Sequence, residues 1–298
     1  IYENENIIAA AERKAERMTT AANNAATATE TPSAVVIRSS VGLDGKIVNA
    51  DCLNVLPGMS AESVALVVTS PPYFNAREYA KWNTYAEYLE WCEAWISQCL
   101  RVLQSGRMLC INSSSVIEAR ASRGERSRRY NIPADLWAIC QGLGAWFAEE
   151  IVWEKPEGAA INRNQRFHLD RHPMQWRANA TTERILVCQK PTENLNDEII
   201  ASQDTTHRLD GEYDRGEVWR MNPEQSSEHP AAYPLPLPAK LIRYYSWPGE
   251  TVLDPFAGSG TTCRAAKDAG RRYVGIERNE TYARMANNRI AQDVLLAV

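Results

Sequence analysis

The sequence predicts an α/β fold in which a parallel sheet is covered by helices on both faces. Three observations predict it. Val64–Thr69 (VALVVT) is an unbroken apolar run, as expected of a strand buried on both sides rather than one. Strand-like and helix-like stretches alternate through much of the chain, and strand–helix–strand units lay strands parallel beneath their crossover helices. Near the C-terminus an apolar strand runs straight into a glycine-rich turn, Asp254-Pro255-Phe256-Ala257-Gly258-Ser259-Gly260, and then a helix.

Each element has its own signal. Residues 1–34 are rich in Ala, Thr, Glu and Asn, and read as a flexible tail. Glu3, Glu5, Glu12, Glu16 and Glu30 argue against an organellar transit peptide, and no secretory leader is visible. The ordered domain is expected over 35–298. A short strand at 46–51 ends in the carboxylate of Asp51. From 85 to 103, Leu89, Cys92, Trp95, Ile96, Cys99, Leu100 and Leu103 recur at intervals of three and four, the spacing of an amphipathic helix. A strand is predicted at 107–111, a helix at 132–143 and a strand at 146–153. Periodicity then fails over 157–182, which reads as an inserted recognition region carrying Arg163, Arg166, His168, Arg171, His172 and Arg177. Residues 191–228 are polar and read as a surface connection. A helix follows at 238–245, a strand at 251–253, a helix at 261–269, a strand at 272–277 ending in Glu277, and a last helix at 279–296.

Composition excludes several classes. The chain has 298 residues, 44% hydrophobic and 23% charged, with 15 Gly and 15 Pro. That is ordinary for a globular protein and rules out a collagen, a coiled coil or wholesale disorder. No apolar run of about 18 residues exists to span a membrane. Lys and Arg number 33 against 37 Asp and Glu, a formal charge of −4. A polyanion must therefore meet a local basic patch rather than a basic molecule. The densest such stretch is 119–130, with Arg120, Arg123, Arg126, Arg128 and Arg129 against Glu125. Seven cysteines without a CxxC pair suggest buried thiols in a reducing compartment, and no metal site is expected.

Two motifs carry chemistry. The glycines after the strand at 251–253 allow a tight turn and close approach of a ligand to backbone. Glu277, about 17 residues past Gly260 at the next strand tip, suits the two hydroxyls of a ribose. GxGxxG and the P-loop lysine are both missing, so a nucleoside without pyrophosphate fits better than a dinucleotide or nucleotide. The second motif, Ser70-Pro71-Pro72-Tyr73, cuts off a buried strand. Its prolines remove two backbone donors and fix two φ angles. The serine hydroxyl and the carbonyls form a rigid acceptor set suited to an exocyclic amino group, and Tyr73 offers a face for stacking on a base.

Together these motifs, in this order, make the chain resemble amino-group DNA methyltransferases of the beta group, from about Ile47 to Ile290. The fold implied is a circularly permuted, Rossmann-like methyltransferase sheet. The cofactor implied is S-adenosyl-L-methionine. The resemblance extends to 153–156 and 183–187, which match strands flanking the family's recognition region, and to 229–234 with Leu241 and Ile242, which match the segment before the cofactor motif. It implies cofactor contacts at Asp51, Cys52, Tyr233, Pro234, Asp254, Phe256, Ala257, Gly258, Ser259, Gly260, Thr261 and Glu277. It implies catalysis at Ser70, Pro71, Pro72 and Tyr73. DNA contacts are expected from Arg123, Arg126, Arg128, Arg129, Arg163, Arg166, Arg171 and Arg177.

Serine, rather than Asp or Asn, at the first position of the motif resembles the family's cytosine-N4 enzymes. The expected activity is site-specific methylation of N4 of a flipped-out cytosine in double-stranded DNA. Adenine-N6 methylation and a catalytically silent DNA-binding module are the alternatives. The sequence contains no Pro-Cys pair, which disfavours attack on cytosine C5. The resemblance leaves open a homodimer and a cognate restriction nuclease acting separately. It points to a bacterial cytoplasm, associated with the nucleoid, or to a eukaryotic nucleus.

Overall fold

The computed structural model describes residues 43–74, 82–118, 127–159, 169–174, 176–193, 208–209, 211–224 and 233–291. The expected tail at 1–34 lies outside the described residues. In chain order the first elements are β1 (Lys46–Asn49), α1 (Cys52–Val55), β2 (Val64–Thr69), α2 (Tyr85–Val102), β3 (Leu103–Ser113), β4 (Val116–Glu118), β5 (Arg128–Tyr130) and α3 (Ile132–Gly142). They are followed by β6 (Trp146–Glu154), β7 (Thr182–Gln189), β8 (Val218–Arg220), α4 (Pro236–Tyr245), β9 (Thr251–Asp254), α5 (Thr261–Asp268), β10 (Arg272–Glu277) and α6 (Glu280–Ala291).

Eight strands form one sheet in the order β1-β10-β9-β2-β3-β7-β6-β8, and β4 and β5 form a separate antiparallel pair. The five strands from β1 to β3 run parallel. β7 is antiparallel to both β3 and β6, a departure from an all-parallel sheet. The first strand, β1, pairs with the last, β10, while the strand feeding the glycine-rich turn, β9, sits at mid-sheet beside β2. This agrees with the circularly permuted order that the resemblance implies.

Alternation in the strands shows how both faces are covered. Leu109 and Ile111 of β3, with Leu186 and Cys188 of β7, pack into one core with Trp95, Ile96 and Cys99 of α2 and Ile132, Leu136 and Cys140 of α3. Cys110, Ile185 and Val187 point the other way, into a core with Leu237, Leu241 and Ile242 of α4 and Ala265 and Ala266 of α5. A period of two in a strand gives this division. All seven cysteines are buried and free of disulfides. No helix among the described residues is long and apolar enough to cross a membrane.

Several boundaries differ from the sequence reading. β3 is longer than 107–111, because its partners β2 and β7 pair with it well beyond the apolar segment. α4 begins at Pro236, where proline's missing N–H costs nothing in a first turn. α6 is described from Glu280 to Ala291. The expected surface connection at 191–228 contains β8, which pairs with the end of β6 and buries Trp219.

Candidate active site

The two motifs meet where the direction of winding reverses. From β9 the chain passes through α5 to β10 on one side; from β2 it passes through α2 to β3 on the other. The crevice at the carboxyl ends of β9 and β2 is the place where an open parallel sheet binds ligands. A buried hydrogen bond joins the two strand tips, Thr69 Oγ1 donating to Asp254 Oδ1 at 2.7 Å.

Behind Ser70-Pro71-Pro72-Tyr73 lies a polar network. Tyr73 Oη donates to Glu183 Oε2 at 3.0 Å. Asn112 Nδ2, at the end of β3, donates to Glu183 Oε2 at 2.6 Å and reaches Ser70 Oγ at 3.3 Å. A carboxylate accepts only, so its bond to Glu183 fixes which end of the Asn112 amide is nitrogen. Lys155 Nζ pairs with Glu183 Oε1 and lies 4.6 Å from the centre of the Trp153 ring. Burial, and then the charge of Glu183, push the Tyr73 phenol well above its usual range. Asn112 is only 3% exposed, and its Oδ1 has no hydrogen-bond partner among the described residues. A buried acceptor without a donor beside Ser70 is a place for a ligand N–H.

The aromatic face of α2 braces both loops. Thr84 caps the helix by accepting the Glu87 N–H at 3.2 Å, while the Glu87 carboxylate reaches back to the Asn83 N–H at 2.8 Å. Phe74, next after Tyr73, packs edge-on against Tyr85 and Tyr130 with centroids at 5.2 and 5.3 Å. About two to three turns further along, Trp91 and Trp95 hold Phe256 at 5.3 and 5.2 Å. One helix therefore sets the positions of the Ser-Pro-Pro-Tyr loop and the glycine-rich loop together.

Three carboxylates stand at neighbouring strand tips, in different surroundings. Asp254 is 1% exposed and accepts from Thr69, from Thr262 Oγ1 at 2.6 Å, from the Phe256 N–H at 3.0 Å and from Tyr233 Oη at 3.4 Å. Desolvation raises its pKa against these donors. Glu277, 6% exposed, accepts the Gly258 N–H at 2.9 Å and the Asn279 N–H at 2.7 Å, and burial raises its pKa as well. Asp51 caps α1 through the Leu53 N–H at 2.9 Å, and its other oxygen has Arg278 Nη1 at 3.8 Å. The ladder pairs Asn49 with Glu277, which puts Asp51 and Glu277 at adjacent strand ends.

The structure places the other predicted cofactor residues as follows. Gly258 and Gly260 adopt positive φ, 51° and 82°. A Cβ on Gly260 would lie 2.9 Å from Ala286 Cβ of α6, so the turn needs glycine twice over. Phe256 is half-buried, and Ala257 is buried with its N–H bonded to the Ile276 carbonyl at 2.9 Å. Ser259 and Thr261 hydroxyls accept from Arg289 of α6 at 3.3 and 3.1 Å. Pro234 lines a cavity of about 490 Å³ with Glu224 and Arg289. Cys52, Tyr233 and Asp254 have buried side chains. The Cys52 side chain is in the core, its thiol pushed up by burial to about 12. Tyr233 is buried with its hydroxyl against Thr262 and Asp254, so it and Asp254 support the loop from below.

Of the expected DNA-binding arginines, Arg128 and Arg129 are exposed on β5, facing β4 in the ladder. Arg171 is exposed, and Arg177 donates to the Met174 and Trp176 carbonyls, both at 2.8 Å, which ties it to its own loop. Arg123, Arg126, Arg163 and Arg166 lie outside the described residues. Sequence reasoning gave no role to Thr69, Asn112, Lys155 or Glu183. The available signal was a polar residue next to an otherwise apolar strand core, as in Cys110-Ile111-Asn112 and Glu183-Arg184-Ile185-Leu186.

Comparison with known proteins agrees with this arrangement. The N6/N4 methyltransferase family, described as DNA methylase, matches residues 64–288. Type II methyltransferase M.BglII of Bacillus subtilis is 30% identical over 254 residues, covering 81% of this chain and 67% of that one. Type II methyltransferase M.HinfI of Haemophilus influenzae is 28% identical over 264 residues, 83% of this chain and 68% of the relative. The crystal structure of TTHA0409 from Thermus thermophilus, a DNA modification methylase by its description, complexed with S-adenosyl-L-methionine, superposes with a TM-score of 0.62. It is 29% identical and covers 83% of this chain and 93% of its own. The cytosine-N4-specific PvuII DNA methyltransferase shares the fold with a TM-score of 0.62 at 19% identity, covering 84% of this chain and 89% of its own.

Proposed function

The chain belongs to the N6/N4 DNA methylase family, and from that premise we propose that it methylates the N4 amino group of cytosine at specific sites in double-stranded DNA. Its cofactor is S-adenosyl-L-methionine, and the residues at the crevice fit that molecule. Each Glu277 oxygen holds one backbone N–H and keeps a lone pair for a ribose hydroxyl. Asp51, at the adjacent strand end, is proposed to meet the adenine ring, and Phe256 its face. Gly258 keeps the turn free of a side chain at the point of closest approach. When bound, S-adenosylmethionine supplies an electrophilic methyl group on a sulfonium.

Cytosine's exocyclic nitrogen is a poor nucleophile because its lone pair is delocalised into the ring. Acceptors at Ser70 Oγ and the Pro71 carbonyl draw the amino group toward tetrahedral geometry and localise that pair. Catalysis then rests on positioning and on fixed dipoles rather than on a covalent intermediate. The base must leave the duplex, which costs a few kcal/mol. Stacking on Tyr73 offsets about 1–3 kcal/mol of that. Arg128 and Arg129, with the adjoining Arg123 and Arg126, are proposed to hold phosphates. Arg163, Arg166, Arg171 and Arg177 are proposed to face the target from the recognition region.

The observation that carries cytosine over adenine is Ser70, a neutral hydroxyl at the motif position where the adenine enzymes of the family usually carry Asp or Asn. Unmethylated plasmid incubated with the protein and labelled S-adenosylmethionine, then digested to nucleosides and analysed by mass spectrometry, tests the proposal. Labelled N4-methylcytosine, lost in Ser70→Ala, is the expected result. Labelled N6-methyladenine would transfer the same site to adenine, and no labelled nucleoside with cofactor still bound would remove DNA as the substrate.

A further inference from the structure

We propose that Arg289, in the last helix, is a positioning residue for the cofactor: its guanidinium holds the far half of the glycine-rich turn in shape before S-adenosyl-L-methionine arrives. The inference concerns binding of the cofactor and does not depend on which base is methylated.

The turn needs such a support. Gly258 and Gly260 both adopt positive φ, and glycine loses more conformational freedom on ordering than any other residue. The near half of the turn is held by the strand tips. Phe256 gives its N–H to Asp254 Oδ1 at 3.0 Å, Ala257 to the Ile276 carbonyl at 2.9 Å and Gly258 to Glu277 Oε2 at 2.9 Å. Ser259 and Thr261 lie beyond these bonds. They are only 7% and 4% exposed, so their hydroxyls need partners within the protein. Arg289 Nη1 serves both, donating to Ser259 Oγ at 3.3 Å and to Thr261 Oγ1 at 3.1 Å. One nitrogen thus bridges the two residues that flank Gly260.

The guanidinium is itself fixed. Arg264 Nη1 donates to the Arg289 carbonyl and Lys267 Nζ to the Ile290 carbonyl, both at 2.8 Å, so cations of α5 satisfy the last turn of α6. The second nitrogen, Nη2, pairs with Glu224 Oε1 at 2.9 Å, and the two side chains are 26% and 27% exposed. Glu224 depends on that pair, because its Oε2 is buried with no hydrogen-bond partner among the described residues. Arg289 therefore joins the turn, α6 and the segment after β8. An ordinary surface ion pair is worth little and uses one nitrogen. Here the spread of the guanidinium is used, with two protons on the turn and one on Glu224. A lysine ammonium gathers its protons at one point and cannot cover both. Arg289 acts on the cofactor through Ser259 and Thr261, one residue past the Gly258 N–H that meets Glu277.

The test uses the whole chain and three variants: Arg289→Lys, Ser259→Ala with Thr261→Val, and all three changes combined. Lysine keeps the charge beside Glu224. Affinity for S-adenosylmethionine is measured by calorimetry, and folding by the melting temperature without cofactor. Arg289→Lys is expected to bind about 10-fold more weakly while melting within about 2 °C of wild type. The hydroxyl variant is expected to lose a similar factor. Adding Arg289→Lys to it then costs less than about twofold more, because both changes break the same contact. With unmethylated plasmid as substrate, KM for the cofactor rises in parallel, while the rate at saturating cofactor changes by less than about threefold. Wild-type affinity in Arg289→Lys would overturn the proposal, as would losses that multiply in the combined variant. Should Arg289→Lys fail to fold, wild-type affinity in the hydroxyl variant overturns it and a loss of about 10-fold there upholds it. Calorimetry needs no DNA, so a protein that labelled no DNA would remove the methylation proposed above while the affinities still decided the role of Arg289.

Discussion

Ser70 Oγ accepts from Asn112 Nδ2 and, in the proposed reaction, from the target amino group. Ser70→Ala removes the acceptor without disturbing Glu183 or Lys155. The expected result is a single-turnover rate lower by about 100-fold or more with cofactor affinity unchanged. Gly260 is a different kind of constraint, imposed by backbone. Gly260→Ala must adopt φ 82° and bring a methyl group within 2.9 Å of Ala286. A loss of about 2 kcal/mol or more in urea denaturation, together with weakened cofactor binding, is expected. Glu277 ties stability to pH. Burial first, and the charge of Asp254 later, raise its pKa above the ordinary 4.5, while the amides of Asn279 and Gly258 oppose them. A carboxylate raised in the folded state adds stability that is full below about 4.5 and is lost as pH rises through its folded-state value. The melting temperature of wild type is therefore expected to decline more than that of Glu277→Gln as pH rises from 4.5. Equal slopes for the two proteins would count against a raised Glu277.

At the scale of elements, α2 does two jobs. It covers the sheet, and its aromatic residues fix Phe74 and Phe256, so its N-terminal cap has consequences in both loops. Thr84→Ala removes the bond to the Glu87 N–H and is expected to cost about 1 kcal/mol in chemical denaturation, with the larger kinetic effect on cofactor binding. Elements such as α2 were legible in the sequence because periodicity of three and four is written in one segment. β2 was legible because a fully buried strand has no polar alternation. The Ser-Pro-Pro-Tyr and Gly-rich loops were legible because proline and glycine declare backbone geometry. β8 was not legible: Val218-Trp219-Arg220 is too short for a period and is a strand only because the end of β6 offers it a partner. The β4–β5 pair was hidden for a similar reason, since the sequence there is dominated by arginines. Glu183 and Asn112 were the hardest. Their side chains, from β7 and β3, meet behind the Ser-Pro-Pro-Tyr loop, and no local spacing encodes a meeting of three strands.

For the whole molecule, a net charge of −4 sets the problem of approaching a polyanion. Exposed Arg128 and Arg129 sit on a small ladder of their own, separate from the central sheet. Replacing both with Ala is expected to lower the slope of log affinity for duplex DNA against log salt by about 1 to 2, without changing the methylated base. An unchanged slope would remove them from the DNA-facing surface. The pairing of β1 with β10 reaches beyond ligand binding. Asn49 Nδ2 bonds to the carbonyl of Glu277 across 228 residues of chain. On a ribosome, the half of the sheet made of β2, β3, β7 and β6 can assemble from residues already synthesised. β1 must wait, partnerless, until β10 emerges. The loop closed by that pairing is nearly the whole domain, so its entropy cost is met last and its formation is slow. The crevice tip proposed to hold the ribose therefore comes into being only near the end of synthesis, and a chain stopped before Arg272 carries Ser70 on its strand tip but lacks Glu277.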